Sequence, residues 1–122
     1  MSDKPHILII EARFYEEISD MLLAGAVEAI EDAGCTYETI EVPGALEMPL
    51  CMKYACEAGE YDAVVALGAV IRGETTHYDI VSEDSCRGLM QISLDYSMPF
   101  GNGIQTCENM EQTIARADKN QK

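Results

Sequence analysis

The chain has 122 residues, 48% of them apolar, and sets 22 Asp and Glu against 8 Lys and Arg for a formal net charge of −14 at pH 7. That is enough chain for one core, which excludes a large multidomain machine, and the acidity excludes a surface built to neutralise nucleic-acid phosphates or anionic lipid. No apolar run of about twenty residues occurs, and Met1-Ser2-Asp3-Lys4-Pro5-His6 lacks the layout of a secretory leader, so a cytoplasmic protein without membrane contact is expected.

His6 to Glu11 is a short apolar run bounded by Pro5 and reads as a strand. After it, Ile18, Met21, Leu22, Ala26, Ala29 and Ile30 recur at helical spacing, and Gly34 is placed to stop that helix. Thr36 to Val42 is rich in β-formers and alternates polar with apolar until Pro43-Gly44 forces a turn. A second helix is predicted from about Glu47 to Ala58, with Pro49 in its first turn and Gly59 after it. The third strand is the apolar, β-branched part of the stretch Asp62 to His77, which runs into a glycine, two hydroxyls and a histidine, and a long helix follows from about Ile80 to Tyr96, with Val81, Leu89, Ile92 and Tyr96 near one face. Pro99 ends it; Phe100 to Thr106 reads as a fourth strand, and Thr106 can cap a last helix running through about Ala117.

Strands alternating with helices predict a parallel sheet covered on both faces and joined by right-handed crossovers. The fold class is therefore α/β, a three-layer α/β/α sandwich with a four-stranded parallel sheet. There is no internal repeat or linker, so residues 1–122 read as one domain, and the polar end Asp118 to Lys122 reads as a chain cut short or about to continue. Five cysteines, an odd number without a C-x-x-C pair, fit neither a disulfide framework nor a zinc site and are expected to be reduced and mostly buried.

In open parallel sheets ligands lie beyond the carboxyl ends of the strands. Three clusters fall there: Arg13-Phe14, then Pro43 to Glu47, then Gly68 to His77. Phe14 can stack on a planar ring or serve as a core or staple aromatic. Glu47 opens a helix, where the dipole alone favours a carboxylate, and it is also placed to accept hydrogen bonds from a polyol. Gly73-Glu74-Thr75-Thr76 can present successive backbone N–H groups to an anion, a device that so acidic a chain needs for phosphate. His77 can both accept and donate a proton near neutral pH, and its setting after a glycine and two threonines favours that role over a structural one. Paired glycines in Gly101-Asn102-Gly103 mark close approach by another backbone or a ligand, or a plain turn. Arg116 is either a surface ion-pair partner or the cation for a phosphate.

Taken in order, Ala12-Arg13-Phe14, Leu23-Ala24-Gly25-Ala26, Val42 to Pro49, Leu67 to Asp79 with its V-I-R-G-E-T-T-H core, Thr106 to Gln112 and Arg116-Ala117 resemble the 6,7-dimethyl-8-ribityllumazine synthase family from about Ile7 to Ala117. The resemblance implies a flavodoxin-like fold and a transferase acting at the penultimate step of riboflavin biosynthesis. Its reaction condenses 5-amino-6-(D-ribitylamino)uracil with 3,4-dihydroxy-2-butanone 4-phosphate, without metal or organic cofactor. Carried over by position, Phe14 stacks on the pyrimidine; Ala45, Leu46 and Glu47 hold the ribityl chain; Ala69, Val70 and Ile71 contact the ring. Gly73, Glu74, Thr75 and Arg116 hold phosphate, with Lys122 a further candidate, and His77 moves the protons. The resemblance also implies a homo-pentamer with sites between adjacent subunits, Asn102 and Arg116 coming from the neighbour. The high charge favours an isolated pentamer or a pair of pentamers over a closed shell.

Two departures stand out. Many members carry aromatics where this chain has Leu46 and Asn102, from which weaker substrate binding is expected, and the family usually continues in a further helical stretch where this chain stops at Lys122. Leu46 and Asn102 keep open a non-catalytic paralogue that binds lumazine or riboflavin. The Gly-Glu-Thr-Thr-His loop argues against the archaeal type of riboflavin synthase. A receiver domain needs an acidic cluster after its first strand and an aspartate after its third, where this chain has Arg13-Phe14 and Gly68-Ala69.

Overall fold

Apolar runs with β-branched residues form the strands and segments of helical period form the helices, in the order expected. In a computed structural model that describes residues 4–71 and 77–107, and of residues 71, 77–80, 82 and 105–107 only the backbone, these are β1 (His6–Ala12), α1 (Glu16–Asp32), β2 (Thr36–Val42), a 3₁₀ turn (Ala45–Glu47) leading into α2 (Met48–Ala58), β3 (Ala63–Ile71), α3 (His77–Tyr96) and β4 (Phe100–Cys107). The helix expected through about Ala117 lies outside the described residues, and Thr106, expected as its cap, belongs to β4.

All neighbouring strands pair in parallel, in the order β2-β1-β3-β4. The two central strands are therefore covered on both faces and read as near-continuous apolar runs. On one face Ile9 and Leu67 pack with Ile18, Leu22 and Ile30 of α1. On the other, Leu8, Ile10, Val64 and Ala66 pack with Met48, Met52 and Ala55 of α2 and with Val81 and Leu89 of α3. These are the three expected layers. Because β1 connects outward to β2 while β2 crosses back over β1 to reach β3, the connections diverge between β1 and β3, which is where an open sheet leaves a crevice.

The helix ends follow local chemistry. Gly34 and Gly59 take left-handed backbone, φ +78° and +72°, directly after α1 and α2. The long third helix begins at His77, a turn earlier than the apolar period indicates, because its first apolar-periodic residue is Val81 and nothing in His-Tyr-Asp opposes a helix. Of the glycines around Asn102, Gly103 is accounted for within the sheet: a Cβ there would stand 2.7 Å from Leu67 Cδ2 and 3.0 Å from the Ala66 carbonyl, whereas one on Gly101 would make only an ordinary 3.6 Å contact with Val65. Between α2 and α3 a Cβ on Gly88 would stand 2.8 Å from Pro49 Cγ, so this glycine sets how closely the two helices approach.

The cysteine expectation needs correcting. Cys35, Cys51, Cys56 and Cys86 are free thiols but only half-buried. Cys51 and Cys56 flank the buried stripe of α2, formed by Met48, Met52 and Ala55, rather than lying on it, and burial pushes both thiols above their ordinary range.

Candidate active site

The carboxyl ends of β1, β2 and β3 enclose a cleft of about 350 Å³. Small and aliphatic residues, Ala12 from β1 and Ala69 and Val70 from β3, make its floor. Gly68 packs next to Met48 and Ala12, with the Met48 methyl 3.5 Å from where a Cβ would stand, an ordinary contact distance. Phe14 and Tyr15 from the β1–α1 turn, the segment from Pro43 to Glu47 after β2, and Val81 of α3 complete its lining.

Phe14 is 78% exposed, with its ring edge-on to Tyr15 at a centroid distance of 4.9 Å. An aromatic so exposed beside a cleft has given up its own burial and can recover it against a flat ligand. Glu47 sits at the N-cap of α2, yet its side chain makes no cap hydrogen bond. The helix-dipole reading thus does not use up its acceptors, and the carboxylate is free to take hydroxyl donors. One of its oxygens lies 3.3 Å from the point a Cβ on Gly44 would occupy, so a side chain there would crowd it.

Arg13 turns away from the cleft. Its Nη1 donates to Glu11 Oε1 at 2.6 Å and its Nη2 donates to Asp20 Oδ1. Burial pulls its pKa down, but the hydrogen bonds and charges of Glu11 and Asp20 outweigh that and hold the guanidinium above its ordinary value. Among the described residues no group of three or more His, Cys, Asp or Glu is arranged to hold a metal, and no helix is long and apolar enough to cross a membrane.

Six residues singled out from sequence thus line one cleft: Phe14, Ala45, Leu46, Glu47, Ala69 and Val70. Ile71 follows Val70 on β3, and of it only the backbone is described. His77 is the first residue of α3, four residues before Val81, and of it only the backbone is described. Asn102 lies elsewhere, on edge strand β4 in register with Ala66, where its Nδ2 donates to Cys86 Sγ at 3.4 Å and its Oδ1 accepts from the Ile104 N–H at 3.0 Å. Gly73, Glu74, Thr75, Arg116 and Lys122 lie outside the described residues. Tyr15 and Val81 were not anticipated in the site. Adjacency to Phe14 could have pointed to the first, and the phase of α3 hid the second among core positions.

Comparison with known proteins matches residues 4–122 to the family model described as 6,7-dimethyl-8-ribityllumazine synthase. The chain is 53% identical over 124 residues to the 6,7-dimethyl-8-ribityllumazine synthase of Agrobacterium fabrum, covering 98% of this chain and 84% of that one. It is 54% identical over 123 residues to that of Bartonella tribocorum, covering all of this chain and 82% of the relative. With the Zymomonas mobilis protein of the same name it shares 55% identity over 115 residues, 94% of this chain and 82% of the other. With a doubly covered parallel sheet, a crevice at its switch point and likeness along nearly the whole chain, this protein belongs to the 6,7-dimethyl-8-ribityllumazine synthase family.

Proposed function

We propose that the protein is a transferase that condenses 5-amino-6-(D-ribitylamino)uracil with 3,4-dihydroxy-2-butanone 4-phosphate to 6,7-dimethyl-8-ribityllumazine, releasing phosphate and water. The observation that carries this reading is the cleft at the ends of three parallel strands, which an exposed aromatic, an uncommitted carboxylate and small apolar residues line together. A flat pyrimidine with a hydroxylated tail needs a ring to stack on and acceptors for its hydroxyls, and Phe14 and Glu47 supply these two features. Ala45 and Leu46 flank the tail, and Ala69, Val70 and Ile71 border the ring.

The 5-amino group of one substrate and the ketone of the other form an imine with loss of one water; phosphate is then eliminated to leave an enol that becomes a new ketone, and the ribitylamino nitrogen attacks that carbonyl and expels a second water to close the ring. His77, at the head of α3, takes and returns the protons. Gly73, Glu74 and Thr75, with Arg116 and Lys122, are assigned to the phosphate. Holding amine and ketone together supplies much of the rate, since effective molarity is worth up to about 7–11 kcal/mol. Residues 1–122 act as one lumazine-synthase-like domain in the cytoplasm.

The site is completed between copies of the chain in a homo-pentamer, with Asn102 and Arg116 contributed by the neighbour. Two features support association: Asn102 stands on the β4 edge away from its own cleft, and apolar pairs at i,i+4 spacing, Leu50 with Tyr54 on α2 and Met90 with Leu94 on α3, are exposed.

The test is to mix the purified protein with the two substrates and follow lumazine by its fluorescence, with Phe14→Ala and Arg116→Ala alongside. Turnover that is reduced in both variants is the expected result. Binding of lumazine without turnover would instead support the non-catalytic paralogue that Leu46 and Asn102 leave open.

A further inference from the structure

An exposed ring is useful for stacking only if the turn that carries it holds still, and hydrophobic packing cannot hold a Phe14 that is mostly in solvent. Tyr15 anchors the far side of the turn against the α1-side core, and the near side, at Arg13, needs a hold of its own. The second residue before Arg13 is Glu11, which points into the α1 face of β1, in line with Ile7 and Ile9, and is only 6% exposed. A carboxylate taken so far out of water needs a charged partner, and removing that partner leaves an uncompensated buried charge. Arg13 is the partner: its guanidinium, itself mostly covered, binds Glu11 on the strand and reaches on to Asp20 in the second turn of α1. The planar fork of arginine suits this, because two nitrogens can hold two carboxylates in fixed directions at once. The bridge therefore ties the end of β1 to α1 across the turn that carries Phe14. With both carboxylates engaged, Arg13 is not a ligand for substrate phosphate, although it stands beside the cleft in sequence.

We propose that Arg13 is a positioning residue whose bridge between Glu11 and Asp20 holds the β1–α1 turn so that Phe14 stays poised over the cleft for a flat heteroaromatic ring. The proposal rests on the reading of the cleft as the pyrimidine site. It makes Arg13 act on the ring substrate through Phe14 and not on the phosphate-bearing substrate.

The test is steady-state kinetics of the full chain with each substrate varied in turn, for the wild type, Arg13→Gln, Arg13→Lys and the milder Asp20→Asn, which removes only the exposed end of the bridge. Direct binding of 6,7-dimethyl-8-ribityllumazine, followed by fluorescence, is measured on the same proteins, with thermal unfolding as a check that each is folded. In Arg13→Gln the KM for the ribitylaminouracil and the Kd for the lumazine should rise about three- to tenfold, the scale of a lost aromatic contact. The KM for the butanone phosphate should hold, and Asp20→Asn should move the same way by less. The decisive arm is epistasis: in a Phe14→Ala background, Arg13→Gln should raise neither constant further, because the ring it positions is gone. Equal rises for both substrates, additive losses in the double variant, or a lowered melting temperature with both constants unchanged would each overturn the proposal. If the wild type makes no lumazine but binds it, the assigned reaction fails while the binding arm still decides the role of Arg13. If it binds none, both fail.

Discussion

His77 stands one helical turn before Val81, which lines the cleft, and the chemistry assigned to it is proton transfer, which assists a reaction that two bound reactants can already begin. His77→Ala should therefore lower kcat within the about 10²–10⁴-fold range of general acid–base catalysis while leaving measurable turnover, with lumazine binding unchanged by fluorescence titration. Complete loss of turnover in a folded variant that still binds would show that the imidazole does more than move protons. Leu46 makes a second prediction. It lies half in solvent and lines the same cleft as Phe14, so a larger flat side chain has room there to meet the ring. Leu46→Phe should lower the KM for the pyrimidine substrate by about two- to tenfold, the scale of one aromatic pair; a raised or unchanged KM would mean that this position does not meet the ring. At this scale the sequence was informative where a residue type was out of place, as with an aromatic directly after a strand. It was silent where a role depends on distance: Arg13, Glu11 and Asp20 become one bridge only once β1 and α1 have packed, and Asn102 is separated from the cleft only by the register of β4 on β3.

At the opposite end of the sheet, β1, β2 and the start of β3 are joined by a polar cluster whose behaviour with pH can be worked out. Glu38 of β2 accepts a hydrogen bond from Tyr61 Oη at 2.7 Å and lies 3.2 Å from His6 Nε2; the other ring nitrogen of His6 is 2.7 Å from Thr36 Oγ1, and the His6 and Tyr61 rings stack at 5.5 Å. The bond from Tyr61, followed by that to His6, holds Glu38 below its usual range, and the same bond to Glu38 pushes Tyr61 up to about 12. A carboxyl lowered by folding contributes stability that is complete above its unfolded pKa and is lost as pH falls through the folded value. A phenol raised by folding contributes stability that is complete below its unfolded pKa of about 10 and is lost as pH climbs towards about 12. The cluster thus holds the strand ends most firmly from the ordinary carboxylate range up to about pH 10. Tyr61→Phe should lower the melting temperature at neutral pH and flatten its decline above about pH 10, with some slope remaining because burial and Glu57 also raise Tyr96. Thermal unfolding at neutral and alkaline pH checks this, and an alkaline slope equal to that of the wild type would remove Tyr61 from the account. Periodicity made most of these elements legible: the apolar run of β1, the helical spacing of α1 and the glycines after α1 and α2 each gave a local signal. What it could not supply was order in the sheet. The alternation in β2 identified a strand, but that β2 is an edge, with Tyr37 and Ile40 partly in solvent, follows from the crossover of β2 over β1.

For the molecule as a whole, two opposing surface properties bear on assembly. The formal charge of −14 repels a second copy, while the exposed pairs Leu50–Tyr54 and Met90–Leu94 leave apolar surface that a second copy could cover. Coulomb repulsion between separate chains is screened by salt, with a Debye length that shrinks from about 30 Å at 0.01 M to about 10 Å at 0.1 M, whereas apolar burial is not weakened by the same change. The balance therefore tips towards association as salt is added. If the neighbour completes the site, turnover per chain must follow the assembly: specific activity should fall on dilution, and the concentration at half-loss should move downward as ionic strength rises. Light scattering on the same samples gives the mass, so the loss of activity and the loss of mass should coincide at every salt concentration. Full specific activity in a species with the mass of one chain would place the entire site within a single copy, and Asn102, whose side chain is engaged by Cys86 and the Ile104 N–H and does not line its own cleft, would then have no part in it.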